Sequence, residues 1–410
     1  MNKNKLPKDW KWVKLKEICK VVTGTTPPKS DMSNYGNDIP FFKPPHLWDG
    51  LVSSTNEMLS TVGGTKARIV PPNTVLVTCI GNLGRTGFVK KEAAFNQQIN
   101  AILANEKIDG KYIFYQAQSP NFRNQLEKLA TGTTVSIVNK GNFETISIPL
   151  APHATQTLIV SKIEELFSEL DKGIEDLKTS QQQLKTYRQS VLKYAFEGKL
   201  TNKKVKEGEL PKGWKKVTIG DVCHNVEYGS GTKSKKEGKI PVLRMGNIQN
   251  GIFDWNDLVY SDDDIEIKKY LLKKNDVLFN RTNSAELVGK TAIYKGERPA
   301  IFAGYLIRIN RIEELIDSAF ITYYLNSKEA KKYGNSVRSF GVNQSNINGT
   351  KLKTYPLLLP LLEEQHLIVL EIESRLSVAD KMEESIAQSL LQAEALRQSI
   401  LKKAFSGELV

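Results

Sequence analysis

Residues 187–200 read Tyr-Arg-Gln-Ser-Val-Leu-Lys-Tyr-Ala-Phe-Glu-Gly-Lys-Leu. They return as residues 396–409, Leu-Arg-Gln-Ser-Ile-Leu-Lys-Lys-Ala-Phe-Ser-Gly-Glu-Leu, with nine identities in fourteen positions, where composition alone gives about one. The opening is duplicated too. Leu6-Pro7-Lys8-Asp9-Trp10-Lys11-Trp12-Val13 recurs as Leu210-Pro211-Lys212-Gly213-Trp214-Lys215-Lys216-Val217, with six identities in eight. Weaker echoes lie between, such as Asn73-Thr74-Val75-Leu76 with Asn275-Asp276-Val277-Leu278. A period near 205 residues is too long for a solenoid and divides the 410-residue chain into two copies of one large unit, about 1 to 200 and 210 to 410.

Each copy changes texture once. Residues 15–150 carry short β-branched runs, among them Thr74-Val75-Leu76-Val77-Thr78, Gly87-Phe88-Val89 and Ile146-Ser147-Ile148, broken by Gly, Asn and Pro clusters. This pattern predicts a mixed, sheet-rich domain. After Pro152, apolar residues from Ile163 and Leu166 to Val191 and Ala195 recur at steps of three and four without proline, and Gly198 stands ready as the stop. The second copy repeats the stripe from Ile372 to Ala404, with Gly407 as the stop. Two helices of about forty residues, each with one narrow apolar seam, are expected to pair as an antiparallel coiled coil. The predicted fold class is α+β: two pseudo-symmetric, sheet-rich mixed α/β domains joined by two long helices. The expected boundaries are 1–152 and 210–356 for the domains, 153–198 and 357–410 for the helices, and 199–209 for a linker.

The chain is basic, with 58 Lys and Arg against 45 Asp and Glu. The excess sits in the predicted domains: residues 1–150 hold 19 against 11 and residues 199–356 hold 28 against 18, whereas the helical segments are neutral to acidic. Two basic domains on a scaffold that carries none of the excess point to two nucleic-acid readers; a solvated basic surface is the bland alternative. Cys19, Cys79 and Cys223 are odd in number and far apart, which argues against a disulfide framework and for a reducing compartment, the cytoplasm by default. No stretch approaches 18 uncharged apolar residues, so no membrane span is expected.

Catalytic motifs are mostly wanting. Gly289-Lys290-Thr291 has the end of a phosphate-binding loop but Ser284 where the first glycine belongs. Lys43-Pro44-Pro45-His46 lacks both the polar first residue and the aromatic last residue of a base-flipping methyltransferase clamp. Asp254 or Asp257 with Glu266-Ile267-Lys268 satisfies the letters of a Mg-dependent nuclease, and Glu197-Gly198-Lys199 supplies a second such triplet. The histidines His46, His153, His224 and His366 have no partners at zinc-ligand spacing.

The order of globular unit, long helix, globular unit, long helix closely resembles the specificity (S) subunit of type I restriction-modification enzymes, the HsdS family. The resemblance spans the whole chain. It rests on the Pro-Leu lead-in with Glu364-Gln365, the two Arg-Gln-Ser-x-Leu-Lys-x-Ala-Phe-x-Gly-x-Leu endings, and Asp276-Val277-Leu278-Phe279-Asn280-Arg281-Thr282 followed by Leu287-Val288-Gly289-Lys290-Thr291-Ala292. The first copy departs from it, with Thr155-Gln156 for the acidic Glu-Gln pair and Asn82-Leu83-Gly84-Arg85-Thr86 for the fuller Arg-Thr loop.

The resemblance implies a non-catalytic subunit whose two target recognition domains each read half of a bipartite asymmetric site in double-stranded DNA. The helices would then be spacer and docking surface. It also implies two methyltransferase subunits bringing S-adenosylmethionine and two restriction subunits bringing ATP and Mg, with no cofactor or metal in this chain. The alternatives are a coiled-coil adaptor that does not read DNA and a Mg-dependent nuclease. Residue types that reach base edges from loops select Lys43, His46, Asn82, Arg85, Thr133, Thr134 and Ser136 in the first domain. In the second they select Arg244, Asn247, Arg281, Asn283, Arg338, Ser339, Gln344 and Asn346. Each could equally hold a phosphate or cap a turn. Trp10 and Trp214, being duplicated, are expected to pack.

Overall fold

The computed structural model describes all residues except 1–5, 203, 204, 207, 208, 342 and 343, and only the backbone of Phe340. The chain divides into two units, one running through Lys178 and taking in Ala387–Val410, the other Thr179–Ile386. Two long helices form, His153–Phe196 and Leu362–Ala404; the second starts later than the expected 357 because Leu357–Leu359 pair as a strand with Lys215–Val217. Each unit holds one globular part and a portion of both helices.

In the first unit a five-stranded sheet runs in the order Lys20–Thr23, Ile99–Leu103, Thr74–Thr78, Thr86–Val89, Gly50–Val52. The central strand, Thr74–Thr78, is buried at every position. Successive side chains of a strand face opposite ways: Val75 and Val77 join the core that contains Ile159, Ile163 and Phe167 of the first helix and Ile400, Leu401 and Phe405 at the end of the second. Leu76 faces a separate core with Phe42, Leu47 and Phe95. The second unit repeats this plan with the order Cys223–Tyr228, Leu306–Arg311, Val277–Asn280, Thr291–Ile293. Val277 and Phe279 face Val191, Phe196, Ile368 and Ile372, while Leu278 faces Leu243 and Phe302.

The duplicated ends perform duplicated work. Lys11–Lys14 pairs antiparallel with Ser147–Leu150, and Lys215–Thr218 with Pro356–Leu359. Gly407 and Gly198 end the helices at φ +80 and +75, and a Cβ at either would collide with Pro7 or Pro211 of the duplicated Leu-Pro-Lys segment. Only glycine meets both demands. Trp214 is buried and donates through Nε1 to Glu364 at 3.0 Å, and Trp10 packs against the first unit's core, as expected of packing residues.

Gln156 and Gln365, both in the first turn of a long helix, are buried and play the same part. Each accepts through Oε1 the backbone N–H of an aspartate, Asp109 at 3.0 Å and Asp317 at 2.9 Å. Those aspartates in turn cap the helices Gly110–Gln118 and Ser318–Leu325. In each unit the two long helices run antiparallel and are tied by the duplicated arginine: Arg397 to Asp171 in the first, Arg188 to Asp380 at 2.6 Å and Glu383 at 2.9 Å in the second.

Candidate nucleic-acid interface

The strand Val277–Asn280 ends at Arg281, whose amide donates to the Tyr305 carbonyl at 3.0 Å and whose carbonyl accepts from Ile347 at 2.9 Å. Directly after it, Thr282–Asn283 pairs with Ser345–Asn346, which pairs with Ser339–Phe340, and Gly341 donates to the Gln344 carbonyl at 2.8 Å. This small sheet brings together Arg281, Asn283, Arg338, Ser339, Gln344 and Asn346, which the sequence separates by up to 65 residues. Side chains lock it: Asn346 Nδ2 donates to Thr282 at 2.8 Å, Lys351 Nζ to Ser339 at 2.7 Å, and Arg338 Nη1 to the Ala285 carbonyl at 2.8 Å.

The first unit builds the same edge from different residues. Thr131 and Ile137 exchange backbone bonds of 2.9 and 2.8 Å, Gly81 donates to Ser136 at 2.9 Å, and Val138 donates to Cys79 at 2.9 Å. Gly132, at φ +99, turns the chain. The result gathers Asn82, Thr133, Thr134 and Ser136, all exposed. A two-stranded edge bearing polar donors belongs to the class of elements that a major groove admits.

Matching these backbone bonds shows which residues correspond. Val138 bonds Cys79 as Ile347 bonds Arg281, and Thr78 donates to Arg85 as Asn280 donates to Lys290, at 2.9 and 2.8 Å. Gly84 and Gly289, which precede Arg85 and Lys290, share positive φ. Arg85 therefore stands where Lys290 stands, not where Arg281 does, because the loop is longer in the second unit. Neither the Arg85 nor the Lys290 side chain has a hydrogen bond or ion pair among the described residues, which leaves two cations for an anionic partner. By contrast Arg308 is neutralised by Glu227 and Asp276. The counterpart of Arg281 is Cys79, a buried thiol that accepts from Asn100 Nδ2 at 3.3 Å; burial pushes it up to about 12.

The remaining four candidates lie on a separate loop in each unit. His46 Nδ1 accepts the Lys43 amide at 3.1 Å, as Asn247 Oδ1 accepts the Arg244 amide at 2.9 Å. Asn247 is 3% exposed, and its Nδ2 donates to the carbonyls of Asp254 and Asn256, both at 3.1 Å. The structure therefore commits the Asn247 amide to holding its own loop, and a short polar residue is selected there by backbone capping. Lys43 is ion-paired with Glu57, and Arg244 with Asp257 at 3.3 Å.

The nuclease letters disperse. Asp257 is engaged by Arg244, while Glu266 accepts from Ser230 at 2.5 Å. Among the described residues no group of three or more His, Cys, Asp or Glu could hold a metal ion. Thr291 of the Gly-Lys-Thr triplet is buried and opens a strand. No helix is long and apolar enough to cross a membrane among the residues described.

Sequence reasoning missed Tyr228 and Tyr305, which are 40% and 51% exposed. Tyr305 carries the carbonyl that Arg281 bonds, and the Tyr228 ring lies under the Arg281 guanidinium. A usable signal was present: Gly229 and Gly304 flag close backbone approach beside an aromatic residue in a basic domain.

The family model for the type I restriction modification DNA specificity domain matches residues 7–179 and 211–392. The type I restriction enzyme StySPI specificity subunit of Salmonella potsdam is 28% identical over all of this chain and 91% of its own length. The EcoKI specificity subunit of Escherichia coli K12 is 26% identical, with the same coverage. In fold, the chain is similar to the HsdS subunit from Thermoanaerobacter tengcongensis, with a TM-score of 0.63 and 20% identity over 99% of both chains. A chain from a type I R-M system, studied for its complex assembly and conformational transition, gives 0.78 and 21% over 98% of this chain and 99% of its own. With a family model matching most of both copies and relatives aligned from end to end, this chain belongs to the specificity-subunit (HsdS) family of type I restriction-modification systems.

Proposed function

We propose that the chain recognises a bipartite, asymmetric site in double-stranded DNA and directs partner subunits to it. Residues 1–152 and 210–356 act as the two target recognition domains, each reading one half-site through its ribbon edge. The two long helices carry a pair of methyltransferase subunits, which bring S-adenosylmethionine. Two restriction subunits, bringing ATP and Mg, complete the assembly, and the chain itself performs no chemistry.

The observation that carries this reading is that one backbone frame presents two different sets of polar side chains. Thr133, Thr134 and Ser136 stand in the first unit and Arg281, Asn283, Gln344 and Asn346 in the second. Equal frames give both readers the same way of meeting a duplex, and unequal side chains give them different letters. The basic excess of both globular segments supports a polyanionic partner. Methylation mapping in a host expressing the chain with its methyltransferase subunits tests the proposal. Two unlike half-sites separated by an unread spacer are expected; a continuous or palindromic site would contradict it.

A further inference from the structure

Arg281 is held from four directions. Its amide donates to the Tyr305 carbonyl and its carbonyl accepts the Ile347 amide, residues that adjoin the strands Leu306–Arg311 and Ser345–Asn346, at 3.0 and 2.9 Å. Its guanidinium carbon lies 4.7 Å from the centroid of the Tyr228 ring, and Nη1 reaches the Gly304 carbonyl at 3.5 Å. The ring is itself fixed, because the Tyr228 hydroxyl accepts the Gly349 amide at 2.7 Å. A Cβ at Gly349 would come within 2.8 Å of Val226 and 3.1 Å of that hydroxyl, so the glycine makes room for the anchor. Tyr228 thus joins the first strand of the sheet to the small ribbon that carries the candidate readers.

An arginine on a flexible stem loses rotamer freedom when it docks. One lying on an aromatic face has surrendered much of that freedom beforehand, with its planar fork already oriented. We infer that Tyr228 is a positioning residue for specificity: it holds the Arg281 guanidinium in the plane from which it reads a guanine edge in the half-site of the second domain. The inference rests on Arg281 being a DNA contact. The first unit has no such device, since a buried thiol occupies the corresponding position.

The test uses the chain in complex with its methyltransferase subunits and duplex oligonucleotides carrying the mapped site or its single-base substitutions. Arg281→Ala should relax discrimination at one position of one half-site by about tenfold to a hundredfold. Tyr228→Leu should relax the same position by about fivefold, while Tyr228→Phe, which keeps the ring but loses its bond to Gly349, should fall between that value and the parent. Because Tyr228 acts through Arg281, Tyr228→Leu added to Arg281→Ala should do nothing more. The other half-site serves as the folding control and should be unchanged throughout.

An additive double mutant would overturn the inference, as would a silent Tyr228→Leu beside an effective Arg281→Ala; either result leaves Arg281 as a reader. If Arg281→Ala weakens every duplex alike, the guanidinium lies on the phosphate backbone and the inference fails. If Arg281→Ala has no effect on either half-site, the reading of Arg281 fails with it.

Discussion

Arg397 pairs with Asp171 in the first unit and Arg188 with Asp380 in the second, at corresponding positions of the two copies. At the ribbon edges the correspondence breaks: the place of Arg281 in one unit is held by Cys79 in the other. The helix contacts and the buried glutamines act on the molecule's own parts, so each copy must solve the same packing problem. Cys79 belongs to the core of its unit, whereas the ribbon residues Asn82, Thr133, Thr134 and Ser136 are exposed, and their side chains can change without disturbing the core beneath. Frame and reader are thus separable properties of one repeat.

The largest effect that tests this separation belongs to the frame. Gln365→Leu strands the Asp317 N–H and the carbonyls of Leu315 and Pro360 in a buried site. It should cost about 2–4 kcal/mol in thermal unfolding. Gln156→Leu strands the Asp109 N–H and the Ala151 carbonyl and should cost about 1–3 kcal/mol. Neither should alter a letter of the recognised site in whatever fraction folds. A changed letter would mean that frame and reader are coupled.

Alkaline pH gives a second, smaller test of the frame, in which buried thiols and tyrosines of both units lose their protonated form. Burial pushes the Cys19 and Cys79 thiols, both in the first unit, from 9.0 up to about 12. A raised thiol pKa favours the protonated, folded form, so this contribution is whole below pH 9 and is lost as pH climbs toward 12. The loss is at most about 1.4 kcal/mol per pH unit for each group. Hydrogen exchange between pH 9 and 11 should show protection in the Thr74–Thr78 strand falling, and Cys79→Ala should reduce the slope. An unchanged slope would remove Cys79 from the account.

The smallest effects are expected at the helix pairs. Arg188→Ala and Arg397→Ala each remove partly exposed ion pairs and should cost about 0.5–1 kcal/mol. Arg397→Ala should lose slightly more because its guanidinium also lies 4.3 Å from the Phe167 ring centroid. Urea unfolding midpoints resolve the difference.

Much of the frame was legible because it is local. The three-and-four spacing gave the helices, the duplicated Gly198 and Gly407 gave their ends, and the β-branched run Thr74–Thr78 read directly as a strand. The edge was not, because it forms by pairing residue 283 with 345 and 81 with 136, contacts that no local pattern encodes. The extra loop length before Gly289 also hid the match of Arg85 to Lys290. Residue type alone drew Asn247 into the list of readers, although the same amide that can bond adenine also caps a backbone turn.

The measurement that bears most directly on a shared frame with private readers is a methylation map of three complexes: the parent, Thr133→Ala with Thr134→Ala, and Arg281→Ala. The first variant should relax letters in one half-site only, the second in the other only, with the spacer constant in all three. Both variants relaxing the same half-site, or each relaxing both, would contradict the account.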